Sequence, residues 1–238
     1  EILRCLVGSE MCIRDSYCAA LADRGYVVFN INYRLVPDVT VNQQLQDVAQ
    51  ALRWIRDHGS QYPCDMQNIM LTGDSAGGQL AAYSAVLMQS AQLRKTFDTV
   101  DPQMELTALL LTSPVAFMRD GGLFSLYTKP MWGTDYKDKA TYPYMDFDQI
   151  IDYAQALPPT YLITSSGDTL ANKQTHRLYE VLQAHGVQAE IKDYAKAEYN
   201  QSLPHVFSVL QPFEPAGTAA IDKALAFYQQ AMTAKAAQ

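Results

Sequence analysis

The segment Gly73-Asp74-Ser75-Ala76-Gly77-Gly78 constrains this chain more than any other. It stands between a short apolar run, Ile69-Met70-Leu71, and a nearly all-apolar stretch beginning Gln79-Leu80-Ala81-Ala82. The first reads as a strand and the second as a helix, so the chain must reverse sharply within a few residues. A turn that tight forces its central residue into a strained conformation, and glycines on either side remove side chains that would collide. The Ser75 hydroxyl is then lifted above the sheet, beside a helix N-terminus whose free N–H groups favour developing negative charge. An ordinary glycine-rich turn is the bland alternative, and the strand–turn–helix context argues against it.

The rest of the chain alternates in the same way. Residues 17–24 read as the end of a helix stopped at Gly25. Tyr26 to Tyr33 is β-branched and aromatic, hence a strand. Leu45, Val48, Ala49, Leu52 and Ile55 make one apolar stripe on a helix over about residues 43–57. Further strands are expected at 106–112, 160–164 and 187–194, with helices at 150–156, around 178–185 and in the last twenty residues. Strands separated by helices imply an α/β fold, a mostly parallel sheet covered by helices. Residues 113–148 break the alternation and read as a lid inserted into a single domain, 17–238.

Residues 6–16, Leu-Val-Gly-Ser-Glu-Met-Cys-Ile-Arg-Asp-Ser, carry neither periodicity nor turn logic. They also translate one frame of a transposon adapter used in sequencing libraries, so residues 1–16 are expected to be largely an artefact. The net charge of −7 argues against a nucleic-acid partner. No apolar run is as long as a membrane span. Four cysteines lack metal-ligand spacing, no metal or cofactor is expected, and a reducing, cytoplasmic setting is the default.

A serine nucleophile needs a base and a group that orients it. His58 precedes Ser75 and closes a helix, whereas His176 and His185 lie within an amphipathic helix. His205, in Leu203-Pro204-His205-Val206-Phe207, sits in a loop after the last strand and is the expected base. Asp168, directly after the strand at 160–164, is the expected acid, because carboxyl ends of parallel strands face the site. Asp193, inside a strand, is the weaker alternative. The similar GDSGGP of trypsin-like proteases belongs to all-β chains whose His and Asp come before the Ser, whereas here a helix follows the motif and too little chain precedes Ser75 to hold a barrel.

With these residues in place, the chain resembles the hormone-sensitive-lipase-like group of carboxylesterases, small acetyl and feruloyl esterases included. The resemblance rests on Asn32-Tyr33-Arg34-Leu35-Val36-Pro37, on Asp47 and Trp54, on the GDSAGG at 73–78, and on the surroundings of Asp168 and His205. It implies an α/β-hydrolase fold and ester hydrolysis through an acyl-enzyme, with Ser75, Asp168 and His205 as triad and a small-molecule ester as partner. Two features depart from the group: the loop from Ala195 to His205 is longer than usual, and the HisGlyGlyGly segment that supplies most of the oxyanion hole has no counterpart. The Ala76 N–H is the one expected donor, and Gly121-Gly122, in the lid, is no substitute. N-terminal strands are accordingly expected to be missing and turnover to be feeble. The lid aromatics, Phe117, Phe124, Tyr127, Trp132, Tyr136, Tyr142, Tyr144 and Phe147, suit a short acyl or aryl group, such as an acyl decoration of a polysaccharide; Phe117 and Trp132 are the chosen substrate contacts. The bland reading has most of them packing the lid. An amide hydrolase of the formamidase or peptidase type and a non-catalytic binding homologue are the alternatives.

Overall fold

The structure is a computed structural model that describes residues 9–119 and 124–237. Residues 1–8, which include the start of the adapter-like stretch, and the Gly121-Gly122 pair lie outside the described residues, as does the side chain of Phe124.

Among the described residues, four strands form a parallel sheet in sequential order: β1 (Met70–Asp74), β2 (Ala108–Thr112), β3 (Thr160–Ser165) and β4 (Ala189–Tyr194). Side chains alternate between the faces of a strand, and here each face has its own core. Leu109, Leu111 and Leu162 pack with residues of α2 (Val41–His58), α3 (Ala76–Gln89), α4 (Ala91–Phe97) and α6 (Asn172–Ala184). Their neighbours Ala108, Leu110, Tyr161 and Ile163 pack on the other side, with α1 (Ser9–Asp23), α8 (Phe207–Leu210) and α9 (Pro215–Ala236). The helix expected at 17–24 thus extends back to Ser9, and Gly25 ends it at φ +87°. The segment expected to be a lid carries α5 (Phe124–Trp132) and 3₁₀ turns at Tyr136–Asp138, Tyr142–Tyr144 and Phe147–Gln149.

Three expectations need correction. Residues 26–33 join no ladder. A cavity of about 390 Å³ separates them from the open edge of β1, lined by Val28, Phe29, Ile31, Ile69, Leu71 and Met104 among others. Side-chain type favours extended backbone there, but a strand also needs a neighbour within hydrogen-bonding distance. The end of the segment is tied to α2 by Arg34, whose Nε and Nη2 donate to Asp47 at 2.9 and 2.7 Å while its carbonyl accepts from Gln44 at 2.8 Å. The helix expected at 150–156 is a single 3₁₀ turn, Ile151–Tyr153, after which Ala154 is already extended at φ −90°, ψ 132°. The loop expected at 195–217 holds α7 (Lys196–Tyr199), α8 and the start of α9, where Pro215 occupies a first-turn position that needs no N–H.

Candidate active site

The elbow forms where β1 ends. Ser75 sits at φ 51°, ψ −116°, a conformation costly for any residue with a side chain. The surrounding backbone offsets that cost. The Ser75 N–H donates to Thr112 O at 3.0 Å, and the Ser75 carbonyl accepts from Gln79 N at 3.1 Å and from Val115 N at 3.2 Å. The glycines are not equivalent. A Cβ on Gly73 would come within 2.4 Å of Gly77 O, and one on Gly78 within 2.9 Å of Pro114 Cβ. One on Gly77 would meet nothing nearer than 3.9 Å, so the steric need falls on the first and last glycines of the motif. Ala76 opens α3, and an N–H in the first turn has no carbonyl one turn earlier to accept it.

The two other loops bring their side chains to Ser75. Asp168 follows β3; its side chain is fully buried, and Oδ1 accepts from Leu170 N at 3.0 Å and Ala171 N at 2.9 Å. Its second oxygen, Oδ2, lies 3.0 Å from His205 Nδ1, and His205 Nε2 lies 2.9 Å from Ser75 Oγ. Burial pushes the Asp168 carboxyl up, but the bonds from His205 and Ala171 outweigh it and hold the group below the usual carboxylate range. An ionised Asp168 only accepts, so Nδ1 carries the imidazole proton and Nε2 is free to accept from the Ser75 hydroxyl. The arrangement can therefore deprotonate Ser75 as it attacks an electrophile. Among the described residues no group of His, Cys, Asp and Glu is placed to hold a metal ion.

The weaker acid candidate, Asp193, points elsewhere: its Oδ2 lies 3.0 Å from His176 Nε2 and 2.9 Å from Asn172 Nδ2. Phe117 and Trp132 are both buried in the core packing. Phe117 lies under the Arg177 guanidinium at 3.9 Å, and Trp132 packs on Tyr83 at 6.5 Å between centroids. Neither shares a described hydrogen bond or ring contact with Ser75, Asp168 or His205. The large cavity touches Asp74 and Gly77 but not the three side chains themselves.

Two residues that hold the backbone at 116–119 were not singled out from sequence. Gln174 accepts from Ala116 N and Phe117 N at 2.9 and 3.0 Å and donates to Phe117 O at 2.9 Å. Asp146 accepts from Met118 N and Arg119 N at 2.7 and 3.0 Å, and its burial raises its carboxyl above the ordinary value. The signal for Gln174 was present: it lies four residues before Leu178 and eight before Leu182, a polar residue on a buried stripe.

Residues 5–203 match the family described as alpha/beta hydrolase fold. The chain belongs to that family. It is 27% identical over 211 residues to the probable carboxylic ester hydrolase LipM of Mycobacterium tuberculosis, covering 87% of this chain and 48% of that protein. To the acetyl esterase of Salmonella choleraesuis it is 25% identical over 185 residues, covering 71% of this chain and 54% of the other. It thus spans about half the length of these curated relatives. Among solved structures, esterase B of Lactobacillus rhamnosis superposes with a TM-score of 0.83 at 29% identity, covering 98% of this chain and 75% of that one. The same esterase inhibited by a tributyrin phosphonate gives 0.85. Such likeness agrees with the hormone-sensitive-lipase-like character of the YRL and GDSAGG segments. No helix among the described residues is long and apolar enough to cross a membrane.

Proposed function

We propose that the chain is a serine carboxylesterase acting on short-chain or aryl esters through an acyl-enzyme, with Ser75, His205 and Asp168 as its catalytic residues. The observation that carries the reading is the unbroken relay from Ser75 Oγ to His205 Nε2 at 2.9 Å and from His205 Nδ1 to a buried Asp168 at 3.0 Å. Ser75 Oγ attacks the ester carbonyl as His205 Nε2 takes its proton. The resulting imidazolium is steadied by Asp168 and returns the proton to the departing alcohol. Water, deprotonated by the same nitrogen, then releases the acid and restores Ser75. The Ala76 N–H, at the start of α3, faces the negative charge that develops on the carbonyl oxygen.

The choice of short esters is supported by the acetyl esterase among the relatives and the tributyrin phosphonate on the structural neighbour. The test is labelling with a fluorophosphonate probe together with rates on p-nitrophenyl acetate, p-nitrophenyl butyrate and a formyl anilide. Labelling lost in Ser75→Ala and hydrolysis confined to the esters are the expected results. Cleavage of the formyl anilide alone would assign an amidase, and labelling that persists without Ser75 would remove the assignment.

A further inference from the structure

The acid loop and the histidine loop meet at a point the relay itself does not use. Ser165, the last residue of β3, is fully buried, and its hydroxyl donates to the carbonyl of Leu203 at 2.6 Å. Leu203, itself 2% exposed, stands two residues before His205. Pro204 lies between them and has no N–H, so the Leu203 carbonyl is a handle close to the histidine by which neighbouring structure can hold this stretch of backbone. A second observation points to the same contact: a Cβ on Gly167 would come within 2.5 Å of Leu203 O, so the two loops approach to a distance that only glycine permits.

The acid side of the contact is fixed to the sheet. Asn172 Nδ2 donates to Ser165 O at 2.9 Å and to Asp193 Oδ2 on β4 at 2.9 Å, and Ser166 N donates to Tyr194 O at 3.0 Å. On the histidine side, Val206 takes φ 53°, a strained value for a β-branched residue, as α8 begins. Phe207 anchors that turn by packing on Tyr194 at 5.3 Å. A strained turn stays in place only when its flanks are held, and Ser165 holds the upstream flank.

We propose that Ser165 is a positioning residue: by gripping Leu203 O it sets the distance between His205 and Asp168, and hence the aim of Nε2 at Ser75. The proposal rests on the reading of these three residues as the catalytic group.

The test compares Ser165→Ala and Ser165→Cys with the unmutated protein. The cysteine nearly keeps the volume but replaces a strong donor with a weak one. One readout is the low-field ¹H NMR resonance of the proton between His205 Nδ1 and Asp168, which needs no turnover. The other is kcat and KM on p-nitrophenyl acetate. Ser165→Ala is expected to move that resonance upfield and broaden it, and to lower kcat about tenfold with KM within about twofold, the scale of one buried hydrogen bond. Ser165→Cys should fall between the two. Thr160→Val, which deletes an equally buried hydroxyl bonded to Pro158 O at 2.9 Å at the opposite end of β3, should move neither readout. A folded Ser165→Ala or Ser165→Cys with an unshifted resonance and unchanged kcat would overturn the proposal. Should the unmutated protein turn over no ester while the resonance still shifts in Ser165→Ala, the positioning role stands and the ester reading alone falls.

Discussion

Replacing Asp168 by asparagine tests the site at its most buried point. The introduced side chain must choose which way its amide faces. Asp168 Oδ1 accepts two backbone N–H groups, from Leu170 and Ala171, and Oδ2 accepts from His205 Nδ1. Turning the amide nitrogen toward the two N–H groups would forfeit both bonds, each worth about 1 kcal/mol net. A difference of about 2 kcal/mol keeps the oxygen facing them in roughly thirty molecules out of thirty-one. The amide nitrogen then faces His205 Nδ1 and donates to it, so the imidazole proton moves to Nε2. An Nε2 that bears a proton cannot take one from Ser75. The activity of Asp168→Asn is therefore expected to fall by at least about thirtyfold, and toward about 10⁴-fold where tautomer reversal governs the rate, as in serine proteases. Initial rates on p-nitrophenyl acetate, with fluorophosphonate labelling rates as a check on Ser75 reactivity, measure the loss. A thermal melt shows whether the fold is kept. A loss below tenfold, or a larger loss in Asp193→Asn than in Asp168→Asn, would refute the assignment of the acid.

Other substitutions separate strain, sterics and ionisation. Ser75→Gly should melt several degrees above Ser75→Ala, because a residue with a side chain at φ 51°, ψ −116° carries about 1–3 kcal/mol of backbone strain that glycine avoids; equal melting temperatures would show the elbow to be unstrained. Gly78→Ala should destabilise the protein by about 1–3 kcal/mol, since its methyl would meet Pro114 at 2.9 Å, while Gly77→Ala, with nothing nearer than 3.9 Å, should stay within about 0.5 kcal/mol. Urea unfolding of both reads this directly, and a reversed order would sink it. Tyr228, whose hydroxyl donates to Asn68 O at 2.6 Å, is pushed by burial up to about 12. An unfolded tyrosine ionises near 10, so this residue's share of stability is complete below about pH 10 and is lost as pH rises toward about 12. Urea midpoints between pH 9 and pH 12 should fall less steeply in Tyr228→Phe than in the unmutated protein, and parallel slopes would contradict it.

Legibility in the sequence followed how local each determinant is. The elbow was readable because one hexapeptide holds the strand end, the turn and the helix start; even so, the pattern does not say that Gly78, rather than Gly77, is the glycine pressed against Pro114. His205 and Asp168 could be picked because each follows a strand, and loops at the carboxyl ends of parallel strands converge. The 26–33 segment misled because its Val, Phe and Ile content reports a preference for extended backbone, whereas a strand is a property of two segments, and β1 faces it across a cavity.

The supports of the site were the least legible part, and for one physical reason. Ser165 acts on a carbonyl thirty-eight residues away, and Gln174 on amides more than fifty residues away. The bonds themselves leave no local trace, because a hydroxyl or amide bonded to distant backbone has the same composition as one exposed to water. What betrays such residues is their setting: Ser165 ends a run of wholly buried strand positions, and Gln174 shares a stripe with Leu178 and Leu182. A polar side chain that the pattern places inside must find a partner there, since a buried donor or acceptor left unpaired costs about 1–3 kcal/mol. The residues that aim a site can thus be sought among the polar exceptions on apolar stripes, and the partner each one finds then shows which loop it holds.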